Sequence, residues 1–291
     1  MDTVRGLVSV LTPSYNQARW LGENLRSVAA QTYPNIEHLV MDGGSTDGSV
    51  SVLEAESGPN VRWLSEPDRG QSDAISKAFS ASRGEIIGWL NSDDAYFASD
   101  VVERAMEVFE NNPDVGLVYG HGALVNAEGT LLHVLWTPTF AQAAVRAYNF
   151  ISQPTVFVRR SVIGRPSFTD PDFDFAMDRE LWLYLARRTE FRRINRIMAI
   201  DRHQLQRKSV ARLDLAAHDR ELIKSRYRIP AITWNPFLVR WVKVVVRFTG
   251  LSKVREAAGG SDVLSLQPTS VRDVVFRQTA QLRRWMPSGD L

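Results

Sequence analysis

The chain has no cysteine. Disulfide frameworks, thiolate nucleophiles and cysteine-bound zinc are therefore excluded. It also lacks a long apolar run: none approaches the ~20 residues that cross a bilayer. The first apolar stretch, residues 6–12, is too short for the core of a secretory signal and stops at Pro13. The expected place is the cytoplasm, free or peripheral on the inner face of the plasma membrane. Net charge is nearly missing as well, at +2 over 291 residues, and no nucleic-acid partner is expected. The charge is unevenly placed. Residues 230–291 hold nine Lys/Arg and four Asp/Glu, a surplus of five that leaves the preceding chain at −3. A basic tail on a mildly acidic body points to an anionic surface as the tail's partner.

Hydrophobic residues make up 44% of the chain and charged residues 23%, enough apolar material for a real core. Through the first half, short apolar runs alternate with helical patterns. Strands are predicted at 7–11, 36–41, 61–64, 86–90 and 115–119. Between them, helices are predicted by Trp20, Leu21, Leu25 and Val28, by a segment after Asp47 that ends at Ala55, by residues 72–82, and by Val102, Ala105, Met106 and Phe109. Thr46 or Asp47 is placed to cap the second helix, and Ser99 the fourth. The alternation predicts an α/β fold on a mainly parallel, buried sheet. The second half is less regular, with a turn at 126–129, strands at 155–158 and 194–200, and helices at 176–187 and 214–228. The domain boundary is placed so that 1–229 form the main domain and 230–291 a helical tail.

In such sheets, ligands bind beyond the carboxyl ends of the strands. Four polar clusters fall there: Pro13-Ser14-Tyr15-Asn16, Asp42-Gly43-Gly44-Ser45, Glu66-Pro67-Asp68-Arg69-Gly70 and Asn91-Ser92-Asp93-Asp94. Asp93 and Asp94 follow a buried strand and are carboxylates of the kind that hold Mg²⁺ or Mn²⁺ against a diphosphate. The plainer reading makes them turn residues, and the company of three other polar strand ends favours the metal. Asp42 can accept a hydrogen bond from a nucleobase N–H, while Gly43 and Gly44 let backbone approach a ligand. Arg69 can pair with phosphate and Asp73 can reach sugar hydroxyls, whereas Glu66 reads as a solvated loop residue.

Together these stretches resemble family 2 glycosyltransferases of the GT-A fold. The resemblance is carried by VSVLTPSYNQARWLGENLRSVAAQTYPNIEHLVMDGGSTDGS, SEPDRGQSDAISKA and GWLNSDDAYF, and continues into ISQPTVFVRRSV and FAMDRELWLYLARR, covering about residues 7–210. It implies inverting transfer from a nucleoside-diphosphate sugar, UDP by preference, to a hydroxyl of a glycan or lipid-linked acceptor, as in polysaccharide or glycolipid synthesis at the cell envelope. By the same resemblance, Pro13, Ser14, Tyr15 and Asn16 line the nucleoside pocket and Asp42 with Gly43 meets the base. Arg69, Asp73, Asn91, Ser92 and Asp93 complete the donor site. Asn91 and Asp93 stand where the family has Asp-X-Asp, so Mn²⁺ or Mg²⁺ falls to Asp93, with Asp94 beside it. His203 is the third candidate for the metal, and a solvated or structural histidine is the equal alternative.

Asp178 matches the family's general base, with Glu180 as the runner-up. Inversion needs one carboxylate to take the acceptor's proton. Without the family match, Asp178 would be read as charging the start of its helix. The chain departs from the family at Asn91, and at Ser76 and Ala78, where relatives carry Asn and Gly. Within the matched stretches no Gln-X-X-Arg-Trp motif of processive members follows Asp178, which implies transfer of single sugars; the same string does occur far beyond them, at Gln281-Leu282-Arg283-Arg284-Trp285 in the tail. Arg207 and Lys208 read either as a phosphate-holding lid or as surface charge.

In the tail, residues 236–251 form an amphipathic pattern, Leu238, Trp241, Val245 and Phe248 against Arg240, Lys243 and Arg247. That pattern suits a helix lying on an anionic membrane surface, or one packed on the main domain. Two further readings of the whole chain remain at this stage. A sugar-phosphate nucleotidyltransferase would need a Gly-rich basic loop after the first strand, which Pro13-Ser14-Tyr15-Asn16-Gln17 is not. A non-catalytic nucleotide-sugar-binding protein would have no use for Asp42, Asp93 and Asp178 together.

Overall fold

The computed structural model describes residues 3–140, 142–204 and 213–229. Arg207, Lys208 and the predicted tail, 230–291 with its amphipathic helix, lie outside the described residues. Among the described residues nine strands form one sheet: β1 (Val4–Ser14), β2 (Ile36–Asp42), β3 (Val61–Ser65), β4 (Gly84–Trp89), β5 (Ala95–Tyr96), β6 (Val115–Val125), β7 (Leu131–Leu135), β8 (Phe157–Arg159) and β9 (Glu190–Arg202). The helices among the described residues are α1 (Ala18–Ala29), α2 (Ser49–Glu56), α3 (Gln71–Ala81), α4 (Val101–Asn111), α5 (Gln142–Ala147), α6 (Met177–Leu185) and α7 (Leu213–Tyr227).

The strand order is β3-β2-β1-β4-β8-β6-β9-β5, with β7 also paired to β6. β1 to β4 are mutually parallel, as their connecting helices require. Every residue of β2 is buried, which fits a strand covered on both faces. The second half mixes directions: β8 runs antiparallel to β4 and β6, β9 parallel to β6, and β5 antiparallel to β9. β6 extends six residues beyond its predicted end at Tyr119. After pairing with β8 at Leu117 and Val118, it takes β7 as its neighbour from Gly122 to Val125. The Gly-His-Gly interruption is imposed by packing, since a Cβ at Gly120 would fall 2.2 Å from Cγ of Met198.

One face of the sheet packs Leu11, Leu39, Trp89, Leu117 and Tyr119 against Ile75, Phe79, Leu181 and Trp182 of α3 and α6. The other packs Val8, Val10, Ile86 and Val118 against Val102, Met106 and Phe109 of α4. Burial of each such side chain is worth about 1.5–3 kcal/mol. Two helix starts differ from expectation. Gly48, with φ of 100°, is the N-cap of α2, and Asp47 accepts the Ser49 N–H at 3.0 Å from one residue further back. Asp100 rather than Ser99 precedes α4, and its carboxylate is held by Arg104 and Arg196.

Candidate active site

The strand register brings the polar clusters together. Ser14, Asp42 and Ser65 are successive partners across β1, β2 and β3, so three strands end level. Beyond that edge lies a cleft of about 970 Å³. Its strand-end wall is lined by Pro13, Ser14, Tyr15, Gly43, Asp68, Asn91, Ser92 and Asp93. A second wall comes from Asn149, from residues 174–179, and from Ala216, Arg220 and Ile223 on one face of α7.

Of the predicted residues, Pro13, Ser14, Tyr15, Gly43, Asn91, Ser92, Asp93 and Asp178 thus share one cleft. Asn16 and Asp42 stand behind it. Asn16 adopts φ of 52°, which asparagine tolerates. Its N–H donates to Ser45 Oγ at 2.7 Å and its Oδ1 accepts the Thr46 N–H at 2.9 Å, clamping the loop after β1 to the loop after β2. Asp42 is buried and accepts from Ser45 N, Ser45 Oγ and Ser65 Oγ at 2.9, 2.5 and 2.7 Å. Its carboxylate shapes the loop whose Gly43 and Gly44 face the cleft. Arg69 is exposed and ion-paired with Asp73 at 2.9 Å. Neither is among the lining residues.

The loop after β4 is held on all sides. Asn91 Oδ1 accepts from Trp89 Nε1 at 2.9 Å and Gln71 Nε2 at 2.8 Å. Its Nδ2 donates to Gln153 Oε1 at 2.8 Å and Asp94 Oδ2 at 3.2 Å. Asp94 is buried and turned inward, where its Oδ1 accepts the backbone N–H of Arg202 at 2.9 Å. The buried Arg202 guanidinium donates to the Asp93 carbonyl at 3.0 Å and to Glu23 at 2.7 Å. Asp93 is left facing the cleft, with Oδ2 accepting Gln204 Nε2 at 3.0 Å. His203 is exposed, its backbone N–H bonded to the Val125 carbonyl.

Among the described residues no three His, Cys, Asp or Glu side chains converge on one point. The Asp93 carboxylate lines the cleft all the same, with Gln204 hydrogen-bonded to its Oδ2. A carboxylate is a ligand a hard divalent ion accepts, with phosphate oxygens and water filling its remaining positions. The residues present therefore fit a cation that arrives with a diphosphate.

On the second wall, Asp178 is half-buried in the first turn of α6, and Asn149 Nδ2 donates to its Oδ2 at 2.9 Å. Glu180 points elsewhere. It is buried between Arg165 at 2.9 Å and the Tyr227 hydroxyl at 2.5 Å, outside the cleft. Burial pushes the Arg179 guanidinium down to about 10, Asp178 opposes the shift, and Arg220 adds to it. The start of α6 is anchored by α7: Asp219 Oδ2 accepts the backbone N–H groups of Phe175 and Ala176, both at 2.8 Å. Sequence reasoning missed Gln71, Asn149, Gln153, Gln204, Asp219 and Arg220. Gln153 lies in a quoted stretch, ISQPTVFVRRSV, and Gln204 next to a candidate, His203. Asp219 and Arg220 gave no signal beyond their place in a predicted helix.

A mixed α/β sheet with flanking helices and a cleft at the strand ends defines a fold similar to that of GT-A glycosyltransferases. S. aureus TarS 1–349, in complex with UDP-GlcNAc, superposes with a TM-score of 0.61 at 14% identity, over 97% of this chain and 82% of that one. The mannosyltransferase PcManGT from Pyrobaculum calidifontis, in complex with GDP-Man and Mn²⁺, gives 0.59 at 22% identity over 96% and 82%. The sequence narrows the class. The family model for glycosyl transferase family 2 matches residues 9–182, and the chain belongs to that family. An uncharacterised glycosyltransferase of Mycobacterium tuberculosis is 30% identical over 62% of this chain and 68% of its own length. The chondroitin synthase of Pasteurella multocida is 29% identical over 66% of this chain, which spans only 20% of that enzyme. The protein is accordingly a glycosyltransferase, which sets aside the nucleotidyltransferase and the non-catalytic binder. No helix among the described residues is long and apolar enough to cross a membrane.

Proposed function

We propose that the protein moves a single sugar, with inversion, from a nucleoside-diphosphate sugar to a hydroxyl of a glycan or lipid-linked acceptor. UDP is the preferred carrier, since the TarS structures carry UDP and UDP-GlcNAc. The observation that carries the reading is that Asp178 opens into the same cleft as the strand-end residues and Asp93. The nucleoside lies along Pro13, Ser14, Tyr15 and Gly43, and its diphosphate reaches the loop after β4. Mn²⁺ or Mg²⁺, when bound, is held by Asp93 and neutralises charge on the departing diphosphate.

The acceptor enters beside Asp178. Its hydroxyl proton passes to the Asp178 carboxylate while the oxygen attacks the anomeric carbon. The carbon–oxygen bond to the diphosphate breaks, and that oxygen leaves with the electron pair as nucleoside diphosphate. Asn149 fixes the orientation of the carboxylate through one of its oxygens. The basic tail holds the enzyme at an anionic membrane surface on the cytoplasmic side, where lipid-linked acceptors lie.

The test is a thermal-shift screen of UDP-, dTDP- and GDP-sugars with and without Mn²⁺, followed by assay for slow donor hydrolysis. One nucleotide class stabilises the protein and is hydrolysed. Absence of stabilisation and of hydrolysis across the whole panel overturns the reading.

A further inference from the structure

A second cavity, of about 350 Å³, lies apart from the donor cleft and shares no lining residue with it. Four arginines line it, Arg165, Arg187, Arg188 and Arg226, against two carboxylates, Asp170 and Glu180. It sits at the far end of α6 from the proposed base: Tyr184, on its wall, is about 9 Å along the helix from Asp178. α7 ends at the same place, with Arg226 and Tyr227 on the wall. Two helix C-termini carry partial negative charge and would by themselves repel an anion. The arginines reverse that.

Both carboxylates are already engaged. Glu180 accepts from Arg165 at 2.9 Å and from the Tyr227 hydroxyl at 2.5 Å. Asp170 accepts from Arg226 at 2.6 Å. Arg187 and Arg188 differ: among the described residues neither meets a carboxylate. Each gives an N–H to a carbonyl near a helix end, Arg187 to Tyr227 at 3.4 Å and Arg188 to Tyr184 at 3.2 Å. Each also lies over an aromatic ring, Arg187 at 4.9 Å from the centre of Tyr227 and Arg188 at 3.7 Å from that of Tyr184. Helix capping accounts for those single bonds. It leaves most of each five-donor fork to solvent on exposed side chains that stacking already holds in place. A carboxylate ligand has two oxygens and is filled by one fork. A phosphate has oxygens enough for two, and bidentate pairing with arginine is its strongest mode of recognition.

We propose that this second cavity is a site for a phosphate group, monoester or diester, held by Arg187 and Arg188. The course of the chain favours a lipid headgroup as the source. Three residues past Tyr227 the sequence enters the segment 230–291, with nine Lys/Arg against four Asp/Glu. The cavity and the basic segment therefore meet at one point of the chain. An anionic bilayer that attracts the segment has phosphates for the cavity as well. The site stands independently of the donor-site reading.

The experiment has two arms, both on the full chain. One is flotation with vesicles of phosphatidylcholine, with and without phosphatidylglycerol. The other is calorimetric titration with inorganic phosphate and with glycerol 3-phosphate. Wild type is compared with Arg187→Gln/Arg188→Gln and with Arg5→Gln/Arg83→Gln, which removes two exposed charges that do not line the cavity. Partition onto vesicles containing phosphatidylglycerol falls about tenfold or more in the first variant and little in the second. A loss seen only with the soluble phosphates keeps the site and makes its ligand a soluble phosphate ester. If wild type and Arg187→Gln/Arg188→Gln agree in both arms, the site is overturned. An equal loss in the two variants overturns it too, since charge anywhere on the surface would then suffice. Should the glutamine variant not fold, Arg187→Lys/Arg188→Lys decides. It keeps both charges and loses both forks, so binding weakened severalfold supports the site and undiminished binding contradicts it.

Discussion

Asp219 Oδ2 accepts the backbone N–H of Ala176 at 2.8 Å, across 43 residues of sequence. Together with the equal bond to Phe175, this places a buried carboxylate of α7 on the start of the helix that presents Asp178. The anchor therefore sits on the two residues just ahead of α6, two and three positions before the proposed base.

Asp219→Ala leaves two backbone donors without their partner, and unfolding by urea should show a loss of about 2–4 kcal/mol. Asp219→Asn keeps an acceptor and should recover much of it. Transfer by folded Asp219→Ala should fall in kcat with nucleotide affinity unchanged, since the strand-end wall is not touched.

Asp178→Asn preserves shape and the approach of Asn149 but cannot take a proton. Transfer should drop about 10²–10⁴-fold, the span typical of general base catalysis. Calorimetric binding of the sugar nucleotide should stay as in wild type. Full transfer by the variant would remove Asp178 from the reaction.

Acid should weaken the fold through two buried histidines. Burial holds His38 down to about 3 and His121 down to about 4, so both stay neutral in the folded chain. Thr12 gives its own proton to the Leu90 carbonyl, so His38 Nε2 carries the hydrogen shared between them at 2.8 Å. In the unfolded chain each histidine binds a proton near pH 6.5. Stability is therefore full above that pH and falls towards pH 4, by up to about 1.4 kcal/mol per unit for each histidine. Denaturation at pH 7, 6 and 5 should show a shallower decline in His38→Gln than in wild type.

Arg202→Lys should not be a mild change. The guanidinium reaches the Asp93 carbonyl and Glu23 from a buried position, a fork that an ammonium does not reproduce. A loss of about 1–3 kcal/mol in urea unfolding is expected. Nucleotide-dependent Mn²⁺ binding should weaken with it, because the loop carrying Asp93 is released.

The first four strands and their helices were legible because each rule acted locally: apolar runs, helical spacing, and polar clusters where strands end. The strand predicted at 115–119 continues to Val125, through Gly120 and Gly122, which carry no apolar side chain to mark it. In the sheet they are required by Met198 and Ser152, side chains from distant segments that occupy the space a Cβ would need. The site divided in the same way. Pro13, Ser14, Asp93 and Asp178 announce themselves by type and position. Gln204 and Asp219 are ordinary polar residues whose roles depend on partners 111 and 43 residues away. Glu180 and Asp178 lie one helical turn together in sequence, and only packing reveals that one meets Arg165 and Tyr227 while the other opens into the cleft.

The four-partner amide of Asn91 also constrains how this loop can change. An aspartate there would match the family's motif by letter, yet its carboxylate could serve only Trp89 and Gln71, which donate. Towards Gln153 Oε1 and Asp94 Oδ2, where the amide now donates, it would present oxygen to oxygen. Asn91→Asp is thus a break rather than a repair. Positions 91, 94 and 153 form a linked set, in which a second carboxylate at the cleft becomes tolerable only when the other two are altered with it.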